Sequence, residues 1–134
     1  MTSLQLSRLI AQAATDKKAR GVIRLDVRQR TSIADYFVIC EGDTDRQVRA
    51  ITDAIVRACR EQGARPFHTA GYEEGSWVVL DYATVIVHIF LPGEREYYDL
   101  ETLWRGRPAA RPRRAANGSK GAKPVRPRRR ATAR

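Results

Sequence analysis

The chain has 134 residues, of which 43% are apolar, and carries 25 Lys or Arg against 15 Asp or Glu, enough for one domain with a core plus an extension. Twelve of the basic residues and none of the acidic ones lie after Trp104, so a slightly acidic body is joined to a strongly basic tail, and only the tail argues for nucleic acid. No stretch approaches the roughly 20 apolar residues of a membrane span, and the start lacks a signal-type apolar core, so a cytoplasmic location is expected.

In chain order, Ser3 is placed to cap a helix whose Leu6, Leu9, Ile10 and Ala13 fall at helical spacing. Lys17 and Lys18 are expected in its last turn, where cations suit the dipole, and Gly21 is expected to end it. Val22 to Arg28 then alternates, Ile23, Leu25 and Val27 against Arg24, Asp26 and Arg28, apart from Val22; this predicts an edge strand with one wet side. After a polar turn from Gln29 to Ser32, Asp35 to Cys40 is apolar on both faces and predicts an interior strand.

Glu41 to Gln47 is where an enzyme hypothesis could start, because a strand followed by Gly42 and the carboxylates of Asp43 and Asp45 resembles divalent-ion sites of nucleotidyl transfer. The local order favours a helix start: Thr44 and Gln47 form a capping box, and Val48, Ile51, Ile55, Ala58 and Cys59 follow at 3.6 spacing. Gln62 and Gly63 end that helix, and residues 64–72 predict a short strand and loop. Cys40 and Cys59 lack metal or redox spacing and are expected to be free thiols.

The most apolar stretch, Ser76 to Leu91, predicts a β-hairpin with strands Trp77 to Leu80 and Val85 to Phe90 around the break Asp81 to Thr84. Both runs are apolar on both faces, which places them centrally in a sheet with helices packed on it. Asp81 is read first as a receiver of turn N–H groups and second as a partner contact. His88, a lone imidazole, is read as hydrogen-bonded in or beside the core rather than as a metal ligand or base. Pro92 and Gly93 then turn the chain into a charged, aromatic segment ending at Trp104. It is expected to form a final amphipathic helix or two half-turns on the sheet.

This order implies an α/β fold, a mixed β-sheet with helices packed on it. No phosphate-binding Gly loop, nucleophile beside a base, His/Cys cluster or RNA-binding aromatic strand is legible. The residues read as a binding module, with no cofactor, metal or catalytic residue expected.

Ala34 to Ile39, Arg46 to Ile51, Trp77 to Tyr82, Val85 to Phe90 and Arg95 to Trp104 resemble, in order, the successive blocks of the ribosomal silencing factor family, also called Iojap. The resemblance covers about residues 3–104. It implies a nucleotidyltransferase-like fold without catalytic residues. It also implies binding to the large ribosomal subunit through ribosomal protein number fourteen, which blocks joining of the small subunit and lowers translation when nutrients are scarce. Matching positions carry the partner-binding role to Trp77, Asp81, Tyr82, His88, Tyr98, Glu101 and Trp104, and homodimerisation through a sheet edge or aromatic surface becomes more expected. At the hairpin tip the family usually reads Asp-Tyr-Gly-Asp, whereas this chain has Asp81-Tyr82-Ala83-Thr84; Ala tolerates positive φ poorly, so a different turn is expected.

Residues 105–134, rich in Arg and Pro with almost no large apolar residue, are expected to be disordered alone. Among phosphates they would serve as a tether, through Arg113, Arg114, Arg128, Arg129 and Arg130. Two other readings stand beside the silencing factor: an RNA-binding or ribosome-assembly protein led by the tail, and a nucleotidyltransferase-like enzyme using Asp43 and Asp45.

Overall fold

The structure is a computed structural model and describes residues 1–99. Its elements are α1 (Ser3–Asp16), β1 (Arg20–Asp26), β2 (Tyr36–Glu41), α2 (Asp45–Glu61), β3 (His68–Ala70), β4 (Trp77–Asp81), β5 (Val85–Phe90) and α3 (Pro92–Tyr98). The five strands form one sheet in the order β1-β2-β5-β4-β3. Only β2 and β5 run parallel; the other neighbours are antiparallel.

Helix boundaries follow from their caps. α1 is capped by Thr2, not Ser3: the Thr2 side chain accepts from the Gln5 N–H and the Gln5 side chain accepts from the Thr2 N–H, a complete capping box. Lys17 caps the C-terminus and Lys18 sits at φ 63°, so both lie just beyond the last turn, and the helix stops well before Gly21. In α2 the Thr44 side chain accepts from Gln47 N–H, while Gln47 Oε1 accepts from Asp43 N–H at 2.7 Å, one residue earlier than a standard box.

Both long helices pack on the same face of the sheet. Leu6, Ile10 and Ala14 of α1 and Val48, Ile51, Ile55 and Cys59 of α2 close over Val38, Cys40, Val78, Leu80, Val87 and Ile89. Each fully buried Val or Ile contributes about 1.5–3 kcal/mol, so this layer carries most of the stability. The opposite face bears a second cluster, Leu25, Val27, Ala34, Phe37, Ile39 and Phe90, with Ile23, Trp77 and Ile86 packed against it. The two-sided apolar pattern of β2 and β5 is thus met by helices on one side and by an aromatic and aliphatic cluster on the other. The expected mixed sheet with helices packed on it is what the structure shows.

β1 is an edge strand as its alternation predicts, with Arg24 on the helix side reaching Ser7 at 3.5 Å. The misfit at Val22 is an irregularity: register shifts between Arg20 and Ile23, and Gly21 between them holds φ 58°. Gly21 also leaves room for Arg95 of α3, whose guanidinium occupies the space where a Cβ would stand. From there Arg95 donates to Glu41 of β2 at 3.0 Å, tying α3 to the sheet. Among the described residues no helix is long and apolar enough to cross a membrane, and Cys40 and Cys59 are buried free thiols, the former pushed up to about 12 by burial.

Candidate functional site

Register along β4 and β5 decides which side chains share the face away from α1 and α2. Trp77 stands opposite Phe90, Val79 opposite His88 and Asp81 opposite Ile86. β3 adds His68 beside Asp81 and Ala70 beside Val79, and β2 adds Phe37 beside Ile86 and Ile39 beside His88. Exposure falls across this face. His68 and Ala70 are exposed, Asp81, Val79, Trp77 and Ile86 are half-buried, and His88, Phe90, Ile39 and Phe37 are buried.

The imidazole of His88 is the hub. Its ring lies 5.2 Å edge-on from Phe37, 6.1 Å from the parallel ring of Phe90 and 6.0 Å from Trp77, which itself stacks on Phe90 at 5.1 Å. Trp77 Nε1 donates to His88 Nδ1 at 3.2 Å. An accepting Nδ1 puts the proton of the neutral ring on Nε2, which is buried without a hydrogen-bond partner. Burial among apolar rings disfavours the charged form and pushes the His88 pKa down to about 4. A neutral imidazole wedged among aromatics is built for packing and a single directed hydrogen bond, not for proton transfer near neutral pH.

Trp77 and His88 are therefore brought together. Asp81 shares their face but stands at the far end of β4 from Trp77, opposite Ile86, and its Oδ1 accepts from Ala83 N–H at 2.7 Å, which organises the turn. Tyr82 is a correction: it points to the helix side, is 4% exposed and belongs to the core beside Cys59. A ring so buried offers no surface to a partner, and burial also pushes its hydroxyl pKa up. Tyr98 is the last residue of α3. Glu101, Trp104, Arg113, Arg114, Arg128, Arg129 and Arg130 lie outside the described residues.

At the other end of β2, the two carboxylates with metal-site resemblance face separate cations. Asp43 pairs with Arg20 and Asp45 with Arg49, each at 2.6 Å. Neither is directed at the other, and among the described residues no three His, Cys, Asp or Glu gather at a common point. Sequence reasoning missed Phe37 and Phe90 as the walls around His88. The signal was present, since period two carries Phe37 and Ile39 to one face of β2.

Residues 1–134 match the family described as ribosomal silencing factor during starvation. The chain belongs to the ribosomal silencing factor family. It is 40% identical over 108 residues to the ribosomal silencing factor of Halalkalibacterium halodurans, spanning 81% of this chain and 92% of that one. A crystal structure of a Chromobacterium violaceum protein matches the fold with a TM-score of 0.77 at 34% identity, covering 87% of this chain and 95% of that one. The protein named mitochondrial assembly of ribosomal large subunit protein 1, from Mus musculus, is 27% identical over 99 residues, spanning 72% of this chain and 43% of its own length. In this member of the family the hairpin tip is closed by Ala83 at φ 72°, with Thr84 N–H donating to the Tyr82 carbonyl at 2.8 Å. That is a positive-φ γ-turn, the strained form.

Proposed function

We propose that this chain represses translation without catalysis: its body binds the large ribosomal subunit through ribosomal protein number fourteen and sterically excludes the small subunit under nutrient limitation. The observation that supports the reading is a graded aromatic face, in a ribosomal silencing factor, running from exposed β3 through half-buried Trp77, Val79 and Ile86 to the buried rings of Phe37, His88 and Phe90. A half-buried aromatic such as Trp77 on a rigid sheet suits protein docking, because little side-chain freedom is lost on binding. Trp77 is the anchor, His68 and Asp81 supply a polar rim, and the family resemblance assigns Tyr98, Glu101 and Trp104 the same partner-binding role. The basic tail adds nonspecific contact with ribosomal RNA. A partner of the large subunit also agrees with the printed name of the mouse relative, and the site of action is the cytoplasm.

Sedimentation of the protein with separated subunits tests this. Association with the large subunit, and fewer joined ribosomes when both subunits are mixed, is the expected result. Association with the small subunit alone would exclude the reading, and loss of all binding when residues after Arg105 are removed would favour a tail-led RNA-binding protein.

A further inference from the structure

A second surface lies on the opposite side of the sheet from Trp77, where α1 runs alongside the edge strand β1. Arg8, Gln12 and Thr15 of α1 and Val22 and Arg24 of β1 line an open groove of about 430 Å³. Arg20, Arg28, Arg49 and Arg95 each hold a carboxylate. Arg8 and Arg24 hold none among the described residues, and both open on this groove; the one described contact of Arg24 is the 3.5 Å approach to the Ser7 hydroxyl. Among the described residues no carboxylate lines the groove. Another groove, between α2 and β3, has Arg57 and Arg60 but also Asp53, which accepts from the Tyr72 hydroxyl at 2.9 Å.

We infer that the α1–β1 groove binds the sugar–phosphate backbone of ribosomal RNA, with Arg8 and Arg24 each engaging a phosphate from opposite walls. A guanidinium matches phosphate geometry with paired N–H donors and stays charged at all working pH values. Two of them across an open groove straddle a chain of phosphates instead of enclosing one. Among the described residues no aromatic side chain lines the groove, so they offer no platform for stacking a base. It therefore reads backbone charge and not sequence, and a free nucleotide gains little there. The groove faces away from the aromatic surface, so one body can touch protein with one side and RNA with the other. The inference rests on the ribosome reading only for the identity of the RNA.

The test uses the full chain, purified large subunits and a salt series from 50 to 200 mM. Each lost phosphate contact lowers the slope of log affinity against log salt by roughly 0.7, so Arg8→Gln/Arg24→Gln should bind with a slope shallower by about 1.4. Over this range wild-type affinity then falls about sevenfold more than that of the double variant. Arg8→Gln alone, at an exposed helix position, should give about half the change in slope and guards against a folding defect at Arg24. Arg57→Gln/Arg60→Gln removes the same charge from the α2–β3 groove and should leave the slope nearly unchanged. Equal slopes for wild type and the Arg8/Arg24 variant overturn the groove while leaving the ribosome reading intact. An equal loss from the Arg57/Arg60 variant also overturns it, since net charge alone would then explain the effect. If wild-type protein binds no subunit, both fall.

Discussion

The indole of Trp77 donates to Nδ1 of His88 across neighbouring strands at 3.2 Å, so one half-buried and one buried ring are fixed as a unit. The bond selects the tautomer, holds the indole against Phe90 at 5.1 Å, and leaves His88 Nε2 without a partner in the core. A truncation at either residue therefore disturbs both the surface and the packing beneath it.

Protonation of His88 should make the fold acid-sensitive in a defined window. Burial lowers its pKa from 6.5 to about 4 in the folded protein. Above about pH 6.5 the ring is neutral in both folded and unfolded chains and its contribution is intact. As pH falls towards 4 the unfolded chain takes up a proton that the folded one refuses, so stability drops by up to about 3 kcal/mol. Asp26, held down to about 2 by Arg28, loses its contribution only at lower pH, below its ordinary 3.8. Urea unfolding at pH 7 and pH 4.5 should show the drop in wild type and much less of it in His88→Gln; equal drops in both would refute the assignment.

Trp77→Ala should weaken large-subunit binding by about 2 kcal/mol, roughly thirtyfold, as expected for a central aromatic anchor. Trp77→Phe keeps the stacking ring but not the N–H and should lose less. Thermal unfolding separates this from misfolding, because a core aromatic truncation alone costs about 3–5 kcal/mol.

Ala83→Gly should stabilise the protein. An L-residue at φ 72° carries a cost of about 1–2 kcal/mol, and the added freedom of unfolded glycine returns part of that gain. The net is about 0.5–1 kcal/mol, read as a rise of about 3–6 °C in Tm for a domain of this size. A fall in Tm would mean the turn is not held in this form.

The pair Arg95–Glu41 spans α3 and β2 with side chains only 11% and 17% exposed. Removing either partner leaves a charge poorly solvated, so Arg95→Met or Glu41→Gln should each cost about 2 kcal/mol. The double variant should cost less than the sum, as a double-mutant cycle by urea unfolding would measure. Gly21→Ala should be of similar severity, since it combines positive φ with a side chain placed where the guanidinium lies.

Truncation after Trp104 should flatten the salt dependence of ribosome binding. Twelve basic tail residues could supply a slope of up to about −8 if all met phosphates. The body should retain only the shallow slope of its own few contacts and still choose the large subunit.

The hairpin and α2 were legible to within a residue because β-branched runs, the turn and the Thr44 cap agree with one another. Tyr82 was misjudged for a physical reason. It follows Asp81 into the turn and so looks exposed, but the alternation that buries Val78 and Leu80 continues one step further and buries Tyr82 with them. Which face of the sheet receives the helices is not written in a strand that is apolar on both sides. Nor is the reach of Arg95 to Glu41, since residues so distant in sequence meet only once the sheet exists.

Pairing of β2 with β5 places Tyr36 beside Val85 and Glu41 beside Phe90, and this has a consequence for synthesis of the chain. The interior strand β2, buried along nearly its whole length, has no parallel partner until residue 90 has been made. Antiparallel β1 and the hairpin β4–β5 form from local contacts, but joining the two halves closes a long loop and is the slow step. Until then the second edge of β2 stays unpaired and open to other strands, so the nascent chain is most prone to aggregate before residue 90 has emerged.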